Sequence, residues 1–320
     1  MAKLILAAAG VALMAVLSLF VGATDLSPAV LLAAGPDSDA VRVLLASRIP
    51  RTLALILAGM AMGVSGLIMQ LLVRNRFVEP GTAGTIESAG LGLLAATLLA
   101  PGIALMGKMV VATLFALAGT ALFLLILRRI PLRSALMVPL VGLMLGAVFE
   151  SVTTFLAYRY DLLQSLNAWT TGDFSGVLRG RYELLWIAGA LTAGAYLAAD
   201  RFTVAGMGQA FTTNVGLNYR RALSAGLVIV AMNTAVVVAT VGAIPFLGLI
   251  VPNLVSMAVG DHARRAVPWV ALGSAGFVLA CDLIGRSVRH PYEIPVGVVI
   301  GVAGSAVFLY LLLRKDPSVG

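Results

Sequence analysis

Acidic side chains inside apolar runs are the first candidates for chemistry in this sequence. Glu150 and Asp282 each lie within such a run, where an ionised group is costly and often functional. Glu150 could line a water-filled path or hydrogen-bond to a neighbouring helix, and the sequence favours neither. Asp282 lies four residues before Arg286, which predicts an i,i+4 ion pair near one end of a helix. Two isolated acids do not form the chain of groups that proton coupling normally requires.

The other reactive residue types form no recognisable catalytic or metal-binding cluster. Cys281 is the single cysteine, which excludes an intrachain disulfide, and His262 and His290 lie outside any ligand spacing. The segment GIALMGKM, Gly102 to Met109, resembles a phosphate-binding loop, but it ends in methionine where a hydroxyl should hold Mg²⁺. We therefore predict a turn there and a chain that is not an enzyme.

Composition places these residues in a membrane. The chain of 320 residues is 60% hydrophobic and only 11% charged, whereas soluble domains carry about 25% charged residues. Its net charge is +8, but the basic residues stand singly or in small groups between apolar runs. That distribution is typical of loops that orient spanning helices and does not indicate a nucleic-acid-binding surface.

The apolar runs predict an all-α polytopic membrane protein, with residues 1–320 forming a single transmembrane domain. We predict an uncleaved first helix, rather than a signal peptide, in the apolar run that follows Lys3, and a break or kink in the eighth span, which holds Pro245 and Pro252. About ten spans are expected, over residues 4–22, 51–73, 88–106, 109–127, 136–157, 183–199, 223–241, 245–259, 267–285 and 294–313.

Basic residues also give an orientation. With the N-terminus in the cytoplasm, the inner side carries more lysine and arginine than the outer side, although the outer side remains unusually basic. The segment RIPR, Arg48 to Arg51, carries two arginines that can be interpreted in two ways. Each could bury its aliphatic stem against apolar surface while its charged head stays in water, or the two could dock an acidic partner. Charge alone does not separate these two interpretations.

Four segments, in order, resemble the FecCD-like permeases of bacterial ABC importers for iron siderophores and vitamin B12. The resemblance extends from about Arg48 to Lys315. The four segments are RIPRTLALILAGMAMGVSGLIMQ (48–70), RNRFVEPGTAGT (74–85), GAIPFLGLIVPNLVSMAVGDHAR (242–264) and YEIPVGVVIGVAGSAVFLYLLLRK (292–315). Their order and spacing make the combination specific.

The sequence departs from the usual family pattern at two places, and the first of them indicates the branch. The turn reads Asn75-Arg76-Phe77-Val78 where most members have Asn-Pro-Leu-Ala, and Asn253 replaces a common histidine after Pro252. Both the turn and the Thr-Ala-Gly-Thr that follows are similar to a sub-branch of ferric-siderophore permeases. The resemblance therefore implies a ferric siderophore as cargo, with heme or cobalamin as the alternative. An ion- or proton-coupled secondary transporter is the alternative from a different class.

The resemblance also implies an assembly. A type II ABC importer permease fold would place this chain and a second permease subunit, identical or homologous, around a central path in the bacterial cytoplasmic membrane, with both termini in the cytoplasm. A substrate-binding protein would deliver the cargo to the outer face, and two ATPase subunits would use ATP and Mg on the inner face. No cofactor is expected on this chain itself.

Three sets of site residues follow from the resemblance. Docking of the binding protein is assigned to Arg48, Arg51, Arg286 and Arg289. Coupling to the ATPase is assigned to Gly208, Gln209, Ala210, Asn214, Gly216 and Arg220, in a loop where small residues would let two short helices meet at a sharp turn. The translocation path is assigned to Met69, Gln70, Asn75, Thr82 and Thr85.

Overall fold

The computed structural model describes residues 2–22, 35, 38–130, 137–289 and 291–313. Within these ranges the chain is helical and forms no β-strand, only an isolated bridge between Thr171 and Ala243. Arg133, His290, Arg314 and Lys315, which entered the charge pattern or the family resemblance, lie outside the described residues.

Ten apolar helices correspond to the ten predicted spans. Six of them are long and apolar enough to cross a bilayer, and four are shorter. In chain order they are α1 (Ala2–Phe20), α3 (Ile49–Val73), α4 (Thr85–Leu99), α5 (Leu105–Arg129), α6 (Met137–Arg159), α8 (Leu185–Leu197), α11 (Tyr219–Val241), α12 (Leu247–Val259), α13 (Ala263–Ser287) and α14 (Val296–Leu313).

Short helices join these spans. They are α2 (Asp39–Val43), which continues through a π-turn into α3, the eight-residue α7 (Leu163–Thr170), and the consecutive pair α9 (Ala199–Gly206) and α10 (Gln209–Asn214). A 3-10 turn over Pro80–Ala83 lies between α3 and α4. The third span is shorter than predicted, because the chain leaves the helix before Pro101 and Gly102.

Helix α3 forms the centre of the bundle and contacts α8, α11, α12 and α13. It approaches two of them closely enough to exclude a side chain. A Cβ atom on Gly63 would lie 1.9 Å from the Ser274 hydroxyl of α13, and one on Gly66 would lie 1.9 Å from the Gly248 carbonyl oxygen of α12. Small residues at such spacing let helices pack through their backbones, as is common in membranes. We refer to Gly59, Gly63 and Gly66 as the glycine seam.

The break predicted inside the eighth span does not occur at Pro252, and the chain is interrupted before that helix, between α11 and α12. Pro245 lies in the break, whereas Pro252 lies inside the continuous helix α12. Backbone groups at this break form hydrogen bonds with the end of α7 and the residues that follow it. The Ala243 amide donates to the Thr170 carbonyl at 3.0 Å, and the Asp173 amide donates to the Val241 carbonyl at 2.9 Å. Irregular backbone at membrane depth is tolerated when it is buried in protein in this way.

Candidate functional site

The two ends of α3 carry the candidate site residues, and its Arg51 end holds a buried ion-pair network. Arg51 donates to Asp282 Oδ1 from Nη2 at 2.7 Å and from Nε at 3.1 Å, and to Glu293 Oε2 from Nη1 at 2.6 Å. Asp282 is fully buried on α13, and Glu293 lies in the segment before α14. One guanidinium therefore joins three parts of the chain.

Arg286 extends the network to α1. It pairs with Asp282 Oδ2, which confirms the predicted i,i+4 ion pair. It also donates to the Ser18 carbonyl at 3.0 Å, the Ser18 hydroxyl at 2.6 Å and the Val21 carbonyl at 2.6 Å. Arg48 reaches the same Val21 carbonyl at 2.7 Å. The carbonyl groups at the C-terminal end of α1, which lack helical donors, are thus satisfied by cations.

This burial changes the interpretation of the docking arginines. Arg48, Arg51 and Arg286 were expected at an outer surface, yet their exposed fractions are 6%, 6% and 2%. Arg289 is the exposed member of the predicted set, with its guanidinium 5.8 Å from the Tyr292 ring centroid. Docking through these arginines remains a prediction, and the three buried ones would have to leave internal partners to contact another chain.

At its other end, α3 leads into the polar turn, residues 74–84. Arg74 ends the helix in the left-handed conformation with φ 54°, and the Asn75 side chain accepts a hydrogen bond from the Phe77 amide at 2.9 Å. Thr82 donates from its hydroxyl to the Glu79 carbonyl at 2.7 Å. These local bonds hold the turn in a defined shape, as Asn and Thr side chains commonly do.

The predicted path residues are mostly buried in this structure. Met69 is 1% exposed in the core, and Thr85 is 1% exposed and hydrogen-bonds to Thr120 at 2.8 Å. These two residues therefore do not line an open surface, while Thr82 is half-buried in the turn. Gln70 and Asn75 border a cavity of about 470 Å³ at this end of the bundle, together with Arg74, Arg76, Asn253 and His262. Their role in a path stays a prediction.

Gln70 has a second, structural role that sequence reasoning missed. Pro252 has no amide hydrogen, so the Gly248 carbonyl loses its donor within α12. The Gln70 side-chain amide donates to that carbonyl at 3.2 Å and lies 3.4 Å from the Leu249 carbonyl. The Leu249 carbonyl also accepts a hydrogen bond from the Asn253 side-chain amide at 2.8 Å. Pro252 in the predicted eighth span was the available signal, because a proline inside a helix leaves one carbonyl without a donor and another polar group must supply it.

The predicted coupling residues lie together on α9, α10 and the turns around them. Gly208 separates the two short helices with φ 105°, and buried Thr212 joins them by donating toward the Val204 and Gly208 carbonyls. This sharp turn between two short helices is the geometry that the sequence predicted. Gln209, Ala210, Asn214, Gly216 and Arg220 are all exposed. Exposed apolar side chains accompany them, at Met207, Phe211 and Val215.

Three acidic residues that sequence reasoning did not single out are placed in the interior or against it. These are Glu79, Glu87 and Glu293. The Glu87 carboxylate on α4 packs against Gly146 of α6, because a Cβ atom there would lie 3.2 Å from Glu87 Cδ. Glu150, one turn later on α6, is exposed beside Ser151 and has no hydrogen-bond partner among the described residues. In the described part of the chain, no group of acidic, histidine or cysteine side chains could hold a metal ion.

Comparison with curated proteins finds several relatives of similar length. The chain is 48% identical over 303 residues to the petrobactin import system permease protein YclN of Bacillus subtilis, covering 95% of each chain. It is 43% identical to the petrobactin permease FatD of Bacillus anthracis, covering 95% of this chain and 89% of that one. It is also 42% identical to the ferric-anguibactin permease FatD of Vibrio anguillarum, covering 85% and 86%.

Comparison with solved structures identifies the fold. A structure described as an inward-facing conformation of a putative metal-chelate type ABC transporter matches with a TM-score of 0.84, covering 98% of this chain and 99% of that one at 24% identity. The family model described as the FecCD transport family matches residues 10–314. The chain therefore belongs to the FecCD transport family and has the fold of an ABC transporter permease.

Proposed function

We propose that this chain is the permease subunit of an ATP-driven importer that moves a ferric siderophore across a bacterial cytoplasmic membrane, with both termini in the cytoplasm. The observation that carries the proposal is the 48% identity, over 95% of both chains, to a petrobactin import permease. Cargo is transferred without covalent chemistry by this chain, while two partner ATPase subunits use ATP and Mg.

The Arg74 end of the bundle supports contact with an ATPase. Met207, Phe211 and Val215 are each about half exposed on or beside α10, although this segment is otherwise polar. Clustered apolar side chains on a loop surface favour a protein partner, because solvent exposure leaves them without packing. The exposed coupling residues lie on the same surface, so a partner here would contact both.

The exposed face of α6 supports a second permease subunit. Glu150 and Ser151 are exposed in the middle of this spanning helix, between large apolar side chains such as Val148 and Phe155. A carboxylate facing lipid would be costly, so this face is better suited to another subunit or to a water-filled path between two subunits. A binding protein at the opposite, basic end would complete the assembly.

The test is uptake by the reconstituted complex. The permease, its ATPase and second permease are placed in liposomes, and radiolabelled ferric petrobactin is supplied with the cognate binding protein. We expect accumulation that requires both ATP and the binding protein. Accumulation without ATP, driven by an ion gradient, would instead indicate a secondary transporter. Uptake of heme or cobalamin, without uptake of ferric siderophores, would show that the proposed cargo is wrong.

A further inference from the structure

Two residues at which the sequence departs from the usual family pattern are in contact at the Arg74 end of the bundle. The side-chain amide of Asn253, on α12, donates to the backbone carbonyl of Arg76, in the polar turn, at 2.9 Å. The same amide donates to the Leu249 carbonyl within α12 at 2.8 Å. The first half of the polar turn is therefore fastened to α12 through its backbone.

The side chain of Arg76 makes a second attachment. Its Nη2 donates to Asp261 Oδ2 at 2.8 Å, and Asp261 lies in the turn between α12 and α13. The other carboxylate oxygen of Asp261 accepts a hydrogen bond from the Ser256 hydroxyl on α12, which holds the carboxylate in place. We refer to Arg76, Asn253 and Asp261 as the turn clamp, because they join the polar turn to α12 and to the start of α13.

Helix α9 is attached to the same start of α13. The Ala263 amide, two residues after Asp261, donates to the Thr203 hydroxyl oxygen of α9 at 3.0 Å. Arg264 forms an ion pair with Asp200 in the first turn of α9. The segment from Asp261 to Arg264 therefore contacts the polar turn on one side and α9 on the other.

The end of α9 and the glycine that follows it also lie against the end of α3. A Cβ atom on Gly206 would lie 3.1 Å from the Leu71 carbonyl oxygen, and one on Gly208 would lie 3.1 Å from Arg74 Nη1. Contacts this close leave little room for α9 to approach α3 without displacing it. A movement of α9 and α10 therefore reaches the polar turn along two routes, through α3 and through the turn clamp.

We propose that Arg76 and Asn253 are positioning residues, which make the polar turn follow movements of α9 and α10. The proposal rests on the proposed function, since it takes these two helices as the surface that an ATPase moves. With the clamp closed, the first half of the turn is fixed to α12 and α13 and moves with them. With the clamp open, only local hydrogen bonds and the end of α3 hold it. Coupling of this kind travels through contiguous contacts between packed elements.

Exposure of the ion pair sets the size of the expected effect. The side chains of Arg76 and Asp261 are each 58% exposed. An exposed ion pair changes an equilibrium by at most about fivefold. Asp261→Arg also places a like charge beside Arg76, so repulsion adds to the lost attraction. We therefore expect a partial loss of transmission, while the permease still folds and assembles.

Hydrogen exchange in the assembled complex tests the clamp directly. The amides of residues 75–84 are compared without nucleotide and with a non-hydrolysable ATP analogue. We expect the analogue to change the exchange of the wild-type turn, and this change to be about fivefold smaller in Asp261→Arg and in Asn253→Leu. The double variant Arg76→Asp/Asp261→Arg should recover the change, because it restores an ion pair of opposite sense.

Transport by the same variants gives a second readout. The reconstituted complex is supplied with ferric petrobactin, and the cargo taken up per ATP hydrolysed is measured. Asp261→Arg and Asn253→Leu should lower this ratio, and the double variant should restore it. Asp39→Arg is the control, because it reverses one member of an exposed pair with Arg42 at the Arg51 end of the bundle. It should behave as the wild type in both measurements.

Three outcomes would overturn the proposal. They are a wild-type turn that does not respond to the analogue, single clamp variants that keep the full response, and a double variant that stays as defective as Asp261→Arg. A loss in Asp39→Arg equal to that in Asp261→Arg would also contradict it. A complex that shows the expected exchange results but takes up no ferric siderophore would contradict the proposed function and leave the turn clamp standing.

Discussion

The side chain of Gln70 donates to the carbonyl oxygen of Gly248 at 3.2 Å, on the helix turn where Pro252 supplies no amide. Two features of distant parts of the sequence thus compensate each other. A proline inside a spanning helix is tolerated when a neighbouring helix satisfies the freed carbonyl.

This pair gives a double-mutant prediction. Gln70→Met should lower the stability of the permease by about 1 kcal/mol, because the buried Gly248 carbonyl loses its donor. The same substitution should cost less in a Pro252→Ala background, where residue 252 donates within the helix. Thermal unfolding of the purified permease in detergent measures all four proteins. Strictly additive effects would show that the two residues are not coupled.

The ion-pair network gives a second prediction. Asp282→Asn should destabilise the permease by about 3–5 kcal/mol, because it leaves the Arg51 and Arg286 guanidinium groups buried without their shared carboxylate. Glu293→Gln should cost less, since the Glu293 side chain is 24% exposed and pairs with Arg51 alone. The measurement is the thermal midpoint in detergent, with Asp39→Asn at a fully exposed carboxylate as control. Equal effects at Asp282 and Asp39 would contradict the network.

Two glycines provide a matched test of ATPase coupling. Gly216→Arg should abolish ATP-dependent uptake and the stimulation of ATP hydrolysis by cargo, while the complex still assembles. Gly260→Arg is the control, because Gly260 has nearly the same conformation (φ 86° against 83°) and equally open surroundings, but lies in the turn between α12 and α13. The coupling assignment fails if the first variant transports normally or if both variants lose transport alike.

A fourth prediction concerns docking of the substrate-binding protein at the Arg51 end of the bundle, through the exposed Arg289. Arg289→Glu should weaken binding of the substrate-binding protein by a few-fold at low salt and less at high salt, as expected for an exposed pair. Lys3→Glu is the control, because it reverses an exposed charge at the N-terminal end of α1, away from the Arg51 end of the bundle. It should leave the affinity unchanged. Surface plasmon resonance with the permease in nanodiscs measures both. An unchanged affinity for Arg289→Glu would remove this residue from the docking surface.

Sequence reasoning succeeded where the signal was local. Apolar runs predicted the ten helices, the Asp282–Arg286 pair followed from a four-residue spacing, and small residues predicted the sharp turn at Gly208. It placed Arg48 and Arg51 at a surface because basic residues at a span end usually reach water. Their actual acceptors include Asp282, which is 231 residues from Arg51. No spacing rule connects residues so far apart, and only the packing of α1, α3 and α13 brings them together.

Glu79 shows a related limit. It stands in a turn that the sequence identified correctly as a family marker, yet a glutamate beside Pro80 and Gly81 looks like an ordinary loop residue. Burial in the folded chain raises the pKa of its carboxyl from an ordinary 4.5 to about 7. The titration behaviour of a side chain is a property of what buries it, which the printed sequence does not contain.

The glycine seam restricts how this protein can change state. Where a methyl group has no room between α3, α12 and α13, these helices cannot slide or rotate past one another without separating their backbones. They will behave as one rigid body during a transport cycle. Alternation between outward and inward openings must therefore be carried by helices outside this group, and α6, with its exposed face, is the element best placed to tilt against that body.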